Sequence, residues 1–137
     1  MMRLCTVLFS LILLLFSFSD LFTAEITSPP KKEMVILNPK NIQSVIRSSP
    51  LLVIDVYVDW CRPCQELGPI FSELHHQYGN KYQFAKFNAD KEDSLANHFQ
   101  ITHYPTIIFI KNGKEVGRRM GPISKEKLLS AIQQNFE

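Results

Sequence analysis

Trp60-Cys61-Arg62-Pro63-Cys64 stands where an apolar segment, Leu51 to Val58, gives way to a pattern of helical period. Two thiols three residues apart can close into a small disulfide and reopen without moving the rest of the chain. A helix starting here would aim unpaired backbone N–H groups and the positive end of its dipole at Cys61. Both favour the thiolate, which is the nucleophilic form. A dithiol so placed is suited to exchanging electrons with other disulfides.

Outward from the dithiol the chain alternates between two periods. Upstream, Met34 to Leu37 reads as a short strand, and Asn38-Pro39 as a helix start with Asn38 at the N-cap and Pro39 at the first helical position. Ile42, Val45 and Ile46 keep helical spacing until Ser48-Ser49-Pro50 stops the run. Leu51 to Val58 is apolar except for Asp55, which predicts a central strand covered on both faces. Downstream, Cys61 to Tyr78 predicts a long helix with Leu67, Ile70, Phe71, Leu74 and Tyr78 on one stripe and a kink at Pro69. Tyr82 to Phe87 predicts a strand and Ser94 to Phe99 a short helix. Thr106 to Ile110 and Glu115 to Met120 flank Asn112-Gly113, a hairpin signal. Ser124 then caps a last helix carrying Leu128, Leu129, Ile132 and Phe136. The order βαβαβαββα predicts an α/β fold, a mixed central sheet with helices on both faces.

Composition sets the bounds. With 137 residues, 45% hydrophobic and 20% charged, the chain has room for one small domain. A net charge of +2, with no basic block interleaved with aromatics, argues against nucleic acid as a partner. Three cysteines exclude a multi-disulfide scaffold. Arg3 precedes the apolar run Leu4 to Phe18, so residues 1–23 read as a secretory signal peptide, with Ser17 and Ser19 placed for cleavage before Asp20. The rival is an uncleaved membrane tether through residues 4–22, which needs about 20 apolar residues. Cleavage would discard Cys5 and leave Cys61 and Cys64 alone. Ser28-Pro29-Pro30-Lys31-Lys32 makes residues 24–33 an extended linker, and the domain is placed at 34–137.

The cysteine pair has other uses to weigh. A zinc site needs four ligands, and His75-His76 lack ligand spacing. A c-type haem attachment requires His after Cys64, where Gln65 stands. A purely structural disulfide closing so short a loop would remove little unfolded-state entropy. Asp55 must be protonated, matched to a cation, or at a strand end that reaches water. His75, His76 and His98 read as helix-surface residues and His103 as a solvated loop residue.

Several motifs in register resemble thioredoxin. They are Val53-Ile54-Asp55 with Trp60 to Cys64, Phe84-Ala85-Lys86-Phe87-Asn88-Ala89-Asp90, Tyr104-Pro105-Thr106, Lys111-Asn112-Gly113 and Gly121. The resemblance runs from about Met34 to the C-terminus. It implies a thioredoxin fold in which Cys61 is the exposed attacking thiolate and Cys64 the buried resolving thiol. Asp55 would be the buried proton acceptor for Cys64 and Lys86 its modulator. It also implies a cis-proline at Pro105 beside the disulfide, with Trp60, Arg62, Pro63, Tyr104, Pro105 and Gly121 lining the client surface.

Two departures stand out: Arg62 where the family usually has Gly, and Tyr57 where it has Trp. A cation at Arg62 favours the Cys61 thiolate and so a more oxidising pair. A solvated charge contributes roughly 1 kcal/mol, equivalent to about 20 mV, against about 150 mV separating reducing from strongly oxidising members. The expectation is a monomeric, exported thiol–disulfide oxidoreductase of the periplasm or another extracytoplasmic space. It would need no bound cofactor, would act on disulfide-containing client proteins, and would be recharged by a membrane-bound or soluble redox partner. The alternatives are an oxidase or isomerase, a non-catalytic binding module on the same fold, and a metallochaperone.

Overall fold

The computed structural model describes residues 31–137. The predicted leader, its cleavage sites, Cys5 and the first part of the linker lie outside the described residues. The elements run β1 (Val35–Ile36), α1 (Ile42–Ser48), β2 (Leu51–Tyr57), α2 (Arg62–Tyr78), β3 (Gln83–Asn88), α3 (Asp93–His98), β4 (Thr106–Lys111), β5 (Lys114–Met120) and α4 (Lys125–Phe136). Their order is the predicted one.

β2 is buried from Leu52 to Val56 because it is the middle strand of five, in the order β1-β3-β2-β4-β5. β1 and β2 both run parallel to β3, while β4 is antiparallel to β2 and β5. A period of two sends alternate β2 side chains to opposite faces. Leu52, Ile54 and Val56 pack in one cluster with Ile42 of α1 and Leu95 of α3. Val53 packs in the other with Leu67, Phe71 and Leu74 of α2 and Leu128 and Ile132 of α4. Helices therefore cover both faces, as the continuous apolar run requires.

The hairpin follows from its turn residues. Asn112 and Gly113 have φ of 50° and 82°, the type I′ pattern whose twist matches the flanking strands. The register then slips between Phe109 and Ile110, so that Val116 forms a bulge on β5.

Local departures from the sequence reading have local causes. The first strand shrinks to Val35–Ile36, although the Leu37 N–H still donates to the Lys86 carbonyl at 2.9 Å. α1 starts three residues later than predicted, with Asn41 at its N-cap. Asn38 Oδ1 instead accepts from the N–H groups of Lys40 at 2.9 Å and Asn41 at 3.1 Å, closing a separate turn before the helix. α2, by contrast, is the single long helix predicted, with Pro69 inside it. The end of the predicted linker is tied down, since Gln83 Nε2 donates to the Glu33 carbonyl at 2.8 Å. His75 is half-buried rather than on the surface. Its ring meets Phe84 edge-on at 5.5 Å, and burial, with Lys31 and His76 nearby, lowers its pKa.

Candidate active site

The parallel strands β2 and β3 end on one side of the sheet, and α2 begins there. Cys61 occupies the N-cap of α2 with extended backbone (φ −92°, ψ 108°), and Pro63 lies in the first turn, where its missing N–H costs nothing. Cys61 and Cys64 form a disulfide with Cα atoms 5.2 Å apart. Both residues are 6% exposed, which corrects the expectation of an exposed Cys61 beside a buried Cys64. Bonded to Cys64, Cys61 packs in the same apolar cluster as Val58 and Ala89. What separates the two sulfurs is backbone polarity. The Cys64 N–H donates to Cys61 Sγ at 3.2 Å, so once the bond opens a helix N-terminal donor and the dipole favour negative charge on Cys61.

Asp55 lies 4% exposed on β2, with Lys86 of β3 as its cross-strand partner. Both line a cavity of about 210 Å³ that also reaches Cys64, Tyr57, Asp59 and Phe71. Among the described residues Asp55 Oδ1 has no hydrogen-bond partner. Burial raises the Asp55 pKa from 3.8 to about 7, opposed only in part by the Lys86 charge. A carboxyl poised near neutrality can take a proton from a thiol and return it.

The rim is built from three separate segments. Trp60 is 71% exposed, and its Nε1 donates to Asp90 Oδ2 at 2.8 Å. Its ring meets Tyr104 edge-on at 5.9 Å. The Tyr104–Pro105 peptide bond is cis, as the resemblance implied. The Pro105 carbonyl accepts from the Gly121 N–H at 2.9 Å, tying the end of β5 to this loop. Gly121 has φ +84°, and among the described residues a Cβ there would meet no atom within 4 Å. Arg62 is turned toward its own helix, its Nε 3.3 Å from Glu66 Oε1 in an exposed i,i+4 pair. Its cation is therefore shared with a carboxylate rather than devoted to Cys61.

Asp55, Trp60, Cys61, Arg62, Pro63, Cys64, Lys86, Tyr104, Pro105 and Gly121 lie at this one end of the sheet or line the cavity beneath it, whereas the Lys111-Asn112-Gly113 turn lies at the opposite end. Sequence reasoning missed Asp90, which holds the Trp60 ring and whose own N–H is held by Asn88 Oδ1 at 2.9 Å. Asp90 closes the motif that begins at Phe84, and that position was its only signal. Tyr57 was read as a departure and not as part of the site.

Reversible exchange between this disulfide and the thiols of other molecules is the chemistry the arrangement supports, and it makes the protein a dithiol oxidoreductase. The chain belongs to the thioredoxin family: the family model described as Thioredoxin matches residues 33–134. It is 33% identical to the thioredoxin of Mycoplasmoides gallisepticum over 72% of this chain and 97% of that protein. It is 36% identical to the chloroplastic thioredoxin Y of Oryza sativa over 66% of this chain, spanning about half (54%) of that protein. Among solved structures, reduced Schistosoma mansoni thioredoxin pre-protein superposes with a TM-score of 0.69 at 31% identity, covering 77% of this chain and all (100%) of that one. The protein is thus a protein-disulfide reductase of the thioredoxin type, working through a Cys-x-x-Cys dithiol. Thioredoxins reduce disulfides in client proteins and are recharged by a reductase.

Proposed function

We propose that this chain reduces and exchanges disulfides of exported proteins outside the cytoplasm, with Cys61 attacking and Cys64 resolving. The Cys64 N–H directed at Cys61 Sγ carries the assignment of the attacking sulfur. The Cys61 thiolate attacks one sulfur of a client disulfide, forming a mixed disulfide and releasing one client thiol. Asp55, ionised at that moment, takes the Cys64 proton across the shared cavity. The Cys64 thiolate attacks Cys61 Sγ, the second client thiol leaves, and the Cys61–Cys64 disulfide is restored. Two electrons have passed to the client. Lys86 modulates Asp55, and the client chain lies across Trp60, Arg62, Pro63, Tyr104, Pro105 and Gly121.

The export reading is supported by Arg3 followed by the apolar run Leu4 to Phe18, and by the chemistry, since client disulfides persist in oxidising compartments. A membrane-bound or soluble reductant in that compartment recharges the pair. The pairing of Arg62 with Glu66 supports the reducing direction, because it leaves less positive charge for Cys61.

Trapping tests the assignment. A Cys64→Ala variant expressed with its leader should accumulate mixed disulfides at Cys61 with exported proteins. Accumulation only on cytoplasmic proteins would overturn the export reading, and no adduct at Cys61 would overturn the choice of nucleophile. A reduction potential near −120 mV, rather than near thioredoxin's −270 mV, would turn the enzyme into an oxidase.

A further inference from the structure

Lys86 does not close on the carboxylate opposite it. The register pairs Asp55 with Lys86 and Tyr57 with Asn88, so Asp55, Tyr57 and Lys86 share one face of the sheet. All three line the same cavity. Lys86 Nζ lies over the Tyr57 ring, 5.8 Å from its centroid, within cation–π range. Among the described residues no ion pair joins Lys86 to Asp55 within 4.0 Å, and Asp55 Oδ1 is left without a partner. A half-buried ammonium beside a buried carboxylate would ordinarily pair with it. Here the aromatic face competes for the cation.

We propose that Tyr57 is a positioning residue that holds the Lys86 ammonium over its ring and so keeps the Asp55 carboxyl beside Cys64 unpaired. An Asp55–Lys86 ion pair would hold Asp55 permanently ionised and make it a weaker base. With the cation parked, burial dominates and the carboxyl titrates near neutrality. The titratable groups that share this cavity with Asp55 are Lys86 of β3, the Cys64 thiol of α2, Asp59 after β2, and the Tyr57 hydroxyl. Asp59 has its own cation in Lys91, at 3.7 Å. β4 presents Ile107 opposite Asp55, which brings no charge. The inference deepens the assignment of Asp55 as proton acceptor, but its test does not depend on that assignment.

The test is the titration of the Asp55 side-chain carbon, followed by carbon NMR in the oxidised protein, where neither thiol titrates. Tyr57→Met fills the space without a ring and should move the Asp55 titration down by roughly half a pH unit or more. Tyr57→Phe keeps the face and should leave it in place. Loss of the ring could also admit water, so the pair is measured again on a Lys86→Met background. There the Tyr57→Met effect should vanish. An Asp55 titration unmoved by Tyr57→Met, or moved equally with and without Lys86, would overturn the proposal. So would a Tyr57→Phe shift as large as that expected for Met, a readout that survives if Tyr57→Met does not fold.

Discussion

Replacing Asp55 by Asn should remove the loss of stability that the native carboxyl imposes on the oxidised protein as pH rises from about 4 to about 7. Burial moves the Asp55 pKa from 3.8 to about 7. For an acid raised on folding, the native state binds more protons than the unfolded state between those values. Stability is therefore full below about pH 4 and falls as pH rises through the window to about 7. At 1.36 kcal/mol per pH unit, this displacement costs the native protein about 4 kcal/mol by pH 8. Asn carries no charge at any pH and escapes that cost, although its NH2 group brings an additional buried donor to a site that already offers Oδ1 no partner among the described residues, a penalty of about 1–3 kcal/mol at every pH. The variant should thus be no more stable than the native protein at pH 4 and about 1–3 kcal/mol more stable at pH 8. Urea unfolding of both oxidised proteins from pH 4 to pH 8 measures it, read from midpoints at constant m. Stability curves that run parallel across the whole window would refute the argument, because they would mean that Asp55 is not the buried titrating group. The same variant should reduce client disulfides more slowly, so the residue that weakens the fold is the one the chemistry uses.

Two further perturbations probe the rim. Gly121→Ala places a side chain at φ +84° and should destabilise by about 1–2 kcal/mol, although no atom of the described residues lies within 4 Å of the Cβ. Denaturant unfolding checks this, and an unchanged midpoint would show that the left-handed backbone is not required there. Arg62→Gly removes an exposed cation already paired with Glu66 and should make the reduction potential more negative by no more than about 20 mV. Equilibration against a glutathione buffer reads it, and a change approaching 100 mV would make Arg62 the main determinant of the couple.

Local chemistry was legible in the chain to the extent that it depends on near neighbours. The Asn112-Gly113 turn, Ser124 capping α4 through the Lys127 N–H, and the unbroken apolar run of β2 each act over a few residues. Asn38 shows how narrow that reach is. Its side chain caps N–H groups as an N-cap Asn does, but in a turn one step ahead of the helix, and spacing alone does not separate the two. His75 was misplaced because its half-burial comes from Phe84, on a strand the helix pattern says nothing about.

The proline and glycine that shape the rim came through the resemblance to thioredoxin; by itself the sequence determined the order of elements and the dithiol at a helix start. These follow from backbone geometry and short-range hydrogen bonding, which are properties of consecutive residues. Only the tertiary structure decided that Asp55 is left unpaired among the described residues, that Lys86 leans on Tyr57, that Arg62 turns to Glu66, and that Cys61 is as buried as Cys64. Those are matters of desolvation and of Coulomb interaction, which depend on distances in space between strands and helices far apart in the chain.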